Sequence, residues 1–133
     1  MALSFDMITV DATDPRPLAE WWARHLGGRV VAEPDGSFVQ IVPAEGSTTP
    51  GLSFQRVTRP TPGKNRLHLD LVTSDRERDV AALLADGAVL VTERSAPGFR
   101  WAVLEDPQGN VFCVGAPESG PTEVPTGEAR PAP

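Results

Sequence analysis

The sequence predicts an α+β fold: two β-α-β-β-β modules whose curved sheets surround a cleft, with the helices outside. Three observations predict it. A capped amphipathic helix occurs twice, with Asp14 and Asp75 as matching starts at an offset of 61. Each helix follows one strand-like run and precedes three more. Gly, Pro, Asn and Asp cluster between those runs, where turns are needed. Two units are too few for a solenoid, so they are expected to pack as one domain.

The first module covers about residues 4–58. It opens with an apolar strand, Phe5–Val10. Asp14 is a good N-cap and Pro15 suits the first helical position. Leu18, Trp21, Trp22, His25 and Leu26 then form one helical stripe, which Gly27-Gly28 ends. The stripe assigns both tryptophans to the core. His25 sits near the helix C-terminus, where a protonated imidazole would complement the helix dipole. Strands are expected at Arg29–Glu33, Phe38–Val42 and Leu52–Val57, with Pro34-Asp35-Gly36 as a turn.

The second module covers about residues 66–116. Arg66–Val72 alternates strongly, with Leu67, Leu69 and Leu71 on one face. Ser74 or Asp75 caps a helix that carries Val80, Leu83 and Leu84 and closes near Gly87. Strands follow at Ala88–Glu93, Phe99–Leu104 and Val111–Gly115. Asp106-Pro107-Gln108-Gly109-Asn110 is a dense turn signal, and the Asp106 and Asn110 side chains are expected to serve it. Phe54 and Phe112 match at an offset of 58 on the last strand of each module.

The chain has 133 residues, and its formal net charge is −6. That balance is a poor fit to nucleic acid or to anionic membranes. No apolar run is long enough to span a bilayer, so a soluble cytoplasmic protein is expected. A single cysteine, Cys113, rules out an intrachain disulfide and a cysteine-rich zinc module. Residues 117–133 hold five of the 14 prolines and few apolar side chains, which predicts a disordered Pro-rich tail.

The doubled pattern resembles the vicinal oxygen chelate superfamily, the glyoxalase, bleomycin-resistance and extradiol-dioxygenase group. The residues that carry the resemblance run from 4 to 116. They are Thr9-Val10-Asp11-Ala12-Thr13-Asp14 before a helix, Trp21-Trp22 closing in Leu26-Gly27-Gly28, His68-Leu69-Asp70-Leu71, and Asp106-Pro107-Gln108-Gly109-Asn110 leading into Phe112-Cys113-Val114. The last string looks like the small glyoxalase-like branch.

The resemblance implies a ligand set on the first and last strands of each module. Repeat matching puts Met7, Gln55, His68 and Cys113 there. A divalent metal would have to use His68, Cys113 and Gln55. Met7 is a thioether and Gln55 a neutral amide, both poor donors for hard ions. No general-base Glu remains in the set, so no cofactor is expected. Asp70 flanks His68 and could orient it or pair with Arg66. A Cys113–His68 thiolate pair competes with a plain buried cysteine.

Alternation adds Phe5, Thr9, Ser53, Val57 and Val111 to the lining of the cleft. Trp101 could stack on a planar ligand or belong to the core. The ligand-binding candidates are therefore Met7, Gln55, His68, Asp70, Trp101 and Cys113. The expected function is metal-free binding of a small molecule. The alternatives are a metal-dependent lyase, isomerase or dioxygenase of the glyoxalase type, and a partner domain with a vestigial cleft. The resemblance also implies a homodimer.

Overall fold

The computed structural model describes residues 3, 5–63 and 65–118. It divides into two units, 1–62 and 63–133. The first holds β1 (Met7–Ala12), α1 (Pro15–Leu26), β2 (Arg29–Ala32), β3 (Phe38–Val42) and β4 (Gly51–Arg56). The second holds β5 (Leu69–Val72), α2 (Arg76–Ala85), β6 (Val89–Ala96), β7 (Phe99–Glu105) and β8 (Val111–Pro117). Each unit is thus β-α-β-β-β, as expected from the sequence.

Each unit has its own open, mixed sheet of four strands, in the orders β1-β4-β3-β2 and β5-β8-β7-β6. The first strand pairs parallel with the last, and the remaining pairs are antiparallel. The parallel pair follows from the helix, since a crossover is needed to return the chain alongside β1 or β5.

In the first unit α1 packs across all four strands. Leu18, Trp21 and Trp22 are buried, while His25 and Leu26 are half-buried, so the stripe faces inward. Beneath it lie Val39, Ile41, Leu52 and Phe54, none more than 5% exposed. Gly28 comes close to β3. A Cβ there would stand 2.7 Å from the Val42 carbonyl oxygen, and its φ is +98°, so only glycine fits.

The second unit is more lightly covered. Asp75 is the N-cap of α2, and its side chain accepts from the Arg78 N–H at 3.1 Å. Asp14 also occupies the N-cap position, but its side chain makes no capping bond. Only Val80 and Leu83 of α2 are buried, and Leu84 is 37% exposed. Arg76 reaches from α2 to Glu93 on β6 at 3.0 Å. Thr73 donates to Asp79, and Arg78 Nε donates to the same carboxylate at 3.0 Å.

Several strand boundaries differ from the sequence expectation: β1 runs Met7–Ala12 rather than Phe5–Val10, which leaves Phe5 outside it and exposed, and β6 runs on to Ala96. β5 begins at Leu69, so Leu67 stays outside it and is 70% exposed. β8 continues through Pro117, and the Glu118 N–H donates to the Gly98 carbonyl at 3.2 Å. The β6–β7 hairpin therefore holds the first two residues assigned to the tail. The rest of that tail lies outside the described residues.

The turn before β8 is built as its sequence implied. Asp106 is 2% exposed and its carboxylate accepts from the backbone N–H groups of Gln108 and Asn110. The Asn110 amide also donates to both of its oxygens.

A break in regular pairing shapes β6. Leu90 pairs with Leu104 and Thr92 with Val103, so Val91 is an extra residue in a β-bulge. Thr92 and Arg94 then share a face with Val103 and Trp101, whereas Glu93 faces α2.

Candidate functional site

In each unit one sheet face carries the helix and the other does not. Register assigns side chains to the helix-free faces. In the first unit these are Met7, Thr9 and Asp11 on β1, Phe38 and Gln40 on β3, and Gly51, Ser53 and Gln55 on β4. In the second they are Asp70 on β5, Thr92 and Arg94 on β6, Phe99, Trp101, Val103 and Glu105 on β7, and Val111, Cys113 and Gly115 on β8. His68 lies one residue before β5, outside the alternation. The other five ligand-binding candidates fall on helix-free faces.

Sharing a face does not bring them together. Met7 pairs with Gly51 and Gln55 with Asp11, four residues apart along the sheet, or about 13 Å at a strand's rise. The repeat match for Gln55 also needs correction. Thr9 pairs with Ser53, and Asp70 pairs with Cys113. The N-cap offset of 61 relates Thr9 to Asp70, so the counterpart of Cys113 is Ser53. Phe54 corresponds to Val114 rather than to Phe112. Ser53 is fully buried and Gln55 is exposed.

The first unit's helix-free face is a small polar network. Thr9 Oγ1 and Ser53 Oγ share a hydrogen bond of 2.8 Å. Ser53 Oγ also lies 3.3 Å from Met7 Sδ and 3.3 Å from the Ile8 carbonyl oxygen. Gln40 Nε2 donates to Met7 Sδ at 3.5 Å. The sulfur is thus an acceptor for two donors, and Met7 is half-buried.

The second unit's helix-free face is apolar at its centre. Phe99, Trp101, Val103 and Cys113 form one buried cluster, with Ala96 and Val111 packed against it. The Phe99 and Trp101 rings are 6.1 Å apart and tilted by 36°. Gly115 makes room for them, because a Cβ there would come within 2.5 Å of the Phe99 ring. Trp101 and Cys113 are 3% and 2% exposed, so both are interior residues of this cluster.

Beyond the cluster, toward the bulge, the same face opens into a pocket of about 330 Å³. Val103 and Val111 supply apolar lining, and Thr92, Arg94 and Glu105 supply a hydroxyl, a cation and a carboxylate. Gly63, Val91 and Gly109 complete it. An apolar lining with a few polar groups suits a small organic ligand. Sequence reasoning named Val111 and missed Thr92, Arg94 and Glu105. Alternation runs through β6 without a visible break, and only the bulge turns Arg94 toward the pocket.

No group of three or more His, Cys, Asp or Glu side chains is placed to hold a metal among the described residues. In the second unit Asp70 and Cys113 pair on one face, and in the first unit the matching positions carry the hydroxyls of Thr9 and Ser53. No described helix is long and apolar enough to cross a membrane.

Comparison with solved structures places this arrangement. A glyoxalase/bleomycin resistance protein/dioxygenase family enzyme from Burkholderia phytofirmans PsJN is similar with a TM-score of 0.69 at 17% identity, over 86% of this chain and 98% of that one. TnmS3, an antibiotic binding protein from Streptomyces sp. CB03234, gives 0.64 at 26% identity, over 89% and 99%. A lactoylglutathione lyase from Agrobacterium tumefaciens gives 0.61 at 14%, over 87% and 95%. A comparison with curated proteins finds no match. The sequence model of the glyoxalase-like domain matches residues 7–115. With that match across both β-α-β-β-β units, the chain belongs to the glyoxalase-like domain family of the vicinal oxygen chelate superfamily.

Proposed function

We propose that this protein binds a small organic molecule on the helix-free face of its second unit, without a catalytic metal. The pocket bounded by Thr92, Arg94, Val103, Glu105 and Val111 carries the reading. Its volume lies at the lower end of the range for small-molecule sites. The antibiotic-binding relative TnmS3 supports the same class of function. The metal-free part is supported by the absence, among the described residues, of any group of three or more His, Cys, Asp or Glu side chains placed to hold an ion. Of the six residues expected from the sequence, Asp70 flanks this surface, and Trp101 and Cys113 form its floor beyond the pocket.

A homodimer belongs to the same proposal, as does a cytoplasmic setting. Val89, Leu90 and Val91 on the edge strand β6 are each more than 40% exposed, and a second chain would cover them. Light scattering on purified protein measures that state.

The test of function is a ligand screen by thermal shift in the presence of EDTA, with calorimetric titration of Zn(II), Ni(II), Mn(II) and Fe(II) beside it. A ligand at a hundredfold its Kd adds about 2.7 kcal/mol to stability, a readily measured rise in Tm. Stabilisation by small molecules in EDTA is the expected result. One equivalent of metal bound at micromolar affinity or tighter, and lost in His68→Ala, would instead establish the lyase or dioxygenase reading.

A further inference from the structure

We infer that the ligand of this pocket is bipolar: an apolar body with an anionic group at one end and a cationic group at the other. The inference rests on the reading of the pocket as a small-molecule site. It adds the ligand's charge pattern, which comes from three features of the second unit.

First, the pocket is lined by one cation and one carboxylate, Arg94 and Glu105. Second, they sit at different levels of the sheet. Arg94 pairs across from Trp101, and Glu105 lies four residues further along the same strand. That separates their backbone positions by about 13 Å along β7. Among the described residues neither side chain makes a hydrogen bond or an ion pair, whereas those of Arg16, Arg56, Arg76, Arg78 and Arg100 do. Third, Val103 lies between their levels on β7 and Val111 sits across from Glu105 on β8, and neither offers a polar group. Thr92 adds one hydroxyl across from Val103.

A ligand that fills this surface meets a guanidinium at one end, Val103 in the middle, and a carboxylate with Val111 beside it at the other end. An anion is recognised by Arg94 through charge-assisted hydrogen bonds, and an ammonium by Glu105 in the same way. A ligand of single charge would leave the opposite protein charge partly desolvated without a partner. The fitting molecule carries its two charges on the order of 10 Å apart, a spacing set by the strand rise.

Four probes of matched shape test this by calorimetry at low salt, where exposed charges are least screened. They are 4-(2-aminoethyl)benzoate, which is zwitterionic; its methyl ester, a cation; 4-ethylbenzoate, an anion; and methyl 4-ethylbenzoate, which is neutral. The zwitterion is expected to bind about tenfold more tightly than the neutral ester, with the single ions between. Arg94→Gln should remove the advantage of the carboxylate and leave that of the ammonium. Glu105→Gln should do the reverse. Both side chains are at least partly exposed, and an unchanged Tm verifies that each variant is folded.

If the four probes bind alike, or the neutral ester binds most tightly, the charge inference falls and the pocket reading stands. The inference falls equally if the zwitterion's preference survives both substitutions. If none of the four binds at millimolar concentration, the pocket reading falls with it.

Discussion

The two units share strand order, pairing and helix position, yet their helix-free faces are chemically opposite. Thr9, Gln40, Ser53 and Met7 form a hydrogen-bonded network in the first. Phe99, Trp101, Val103 and Cys113 form an apolar cluster at the corresponding place in the second. The helix-facing sides differ in degree rather than kind. α1 buries two tryptophans and a leucine, whereas α2 buries one valine and one leucine. The β-α-β-β-β topology needs an apolar surface only under the helix. The other face is free to take a polar network, an aromatic cluster or a pocket, so function is read there.

The sharpest test of this asymmetry is to empty each helix's contact. Trp22→Ala should cost about 3–5 kcal/mol in urea unfolding, and Leu83→Ala about 2 kcal/mol. Equal losses would break the picture of a heavily covered first sheet and a lightly covered second.

A smaller contrast lies in the two glycines on the helix-free faces. Gly115→Ala would push a methyl into the Phe99 ring, at an expected cost of about 1–3 kcal/mol. At Gly51 the nearest neighbour of an added Cβ is 3.4 Å away, so Gly51→Ala should change stability by less than about 0.5 kcal/mol. Comparison of the two midpoints in one denaturant series decides it. Ser53→Ala comes next. It removes the hydroxyl that links Thr9, Met7 and Ile8, and should cost about 1 kcal/mol.

The smallest effect is electrostatic and confined to the second unit. Thr73 and then Arg78 hold the Asp79 carboxyl below its ordinary value of 3.8 by hydrogen bonding to its charged form. A carboxylate lowered on folding contributes stability above its unfolded pKa and loses it as pH falls through the folded value. Asp79→Asn should therefore be less stable than the parent at neutral pH. The gap should close below about pH 3.8, as thermal melts at a series of pH values will show.

Much of the fold was legible because helices and strands advertise different periods. The Leu18–Leu26 stripe and the Leu69, Leu71 alternation leave little freedom in element type. The site was legible by face and not by register. A period of two is unchanged by a slip of two residues, so matching Phe54 to Phe112 kept the correct face while replacing Ser53 with Gln55. The burial of Trp101 and Cys113 depends on what the sheet packs against, which alternation does not encode. The charges of the pocket were hidden for a different reason, since the Val-Leu-Val-Thr-Glu-Arg run has no marker for an inserted residue.

That inserted residue, Val91, acts like a shift of reading frame within the strand. Upstream of it Val89 faces the pocket side, and unbroken alternation would next send Val91 and Glu93 there. Because Val91 is skipped, Thr92 and Arg94 arrive instead, and Glu93 is turned toward Arg76 on the helix. One extra residue therefore sets the sign of the charge that β6 offers to a ligand. Regularising the strand with Val91 kept in place would exchange the guanidinium for a second carboxylate without changing a single side chain. Deleting Val91 would keep Arg94 where it is and only straighten the strand. The sign of that charge is therefore set by the pairing of β6 with β7 and not by which residues the strand contains.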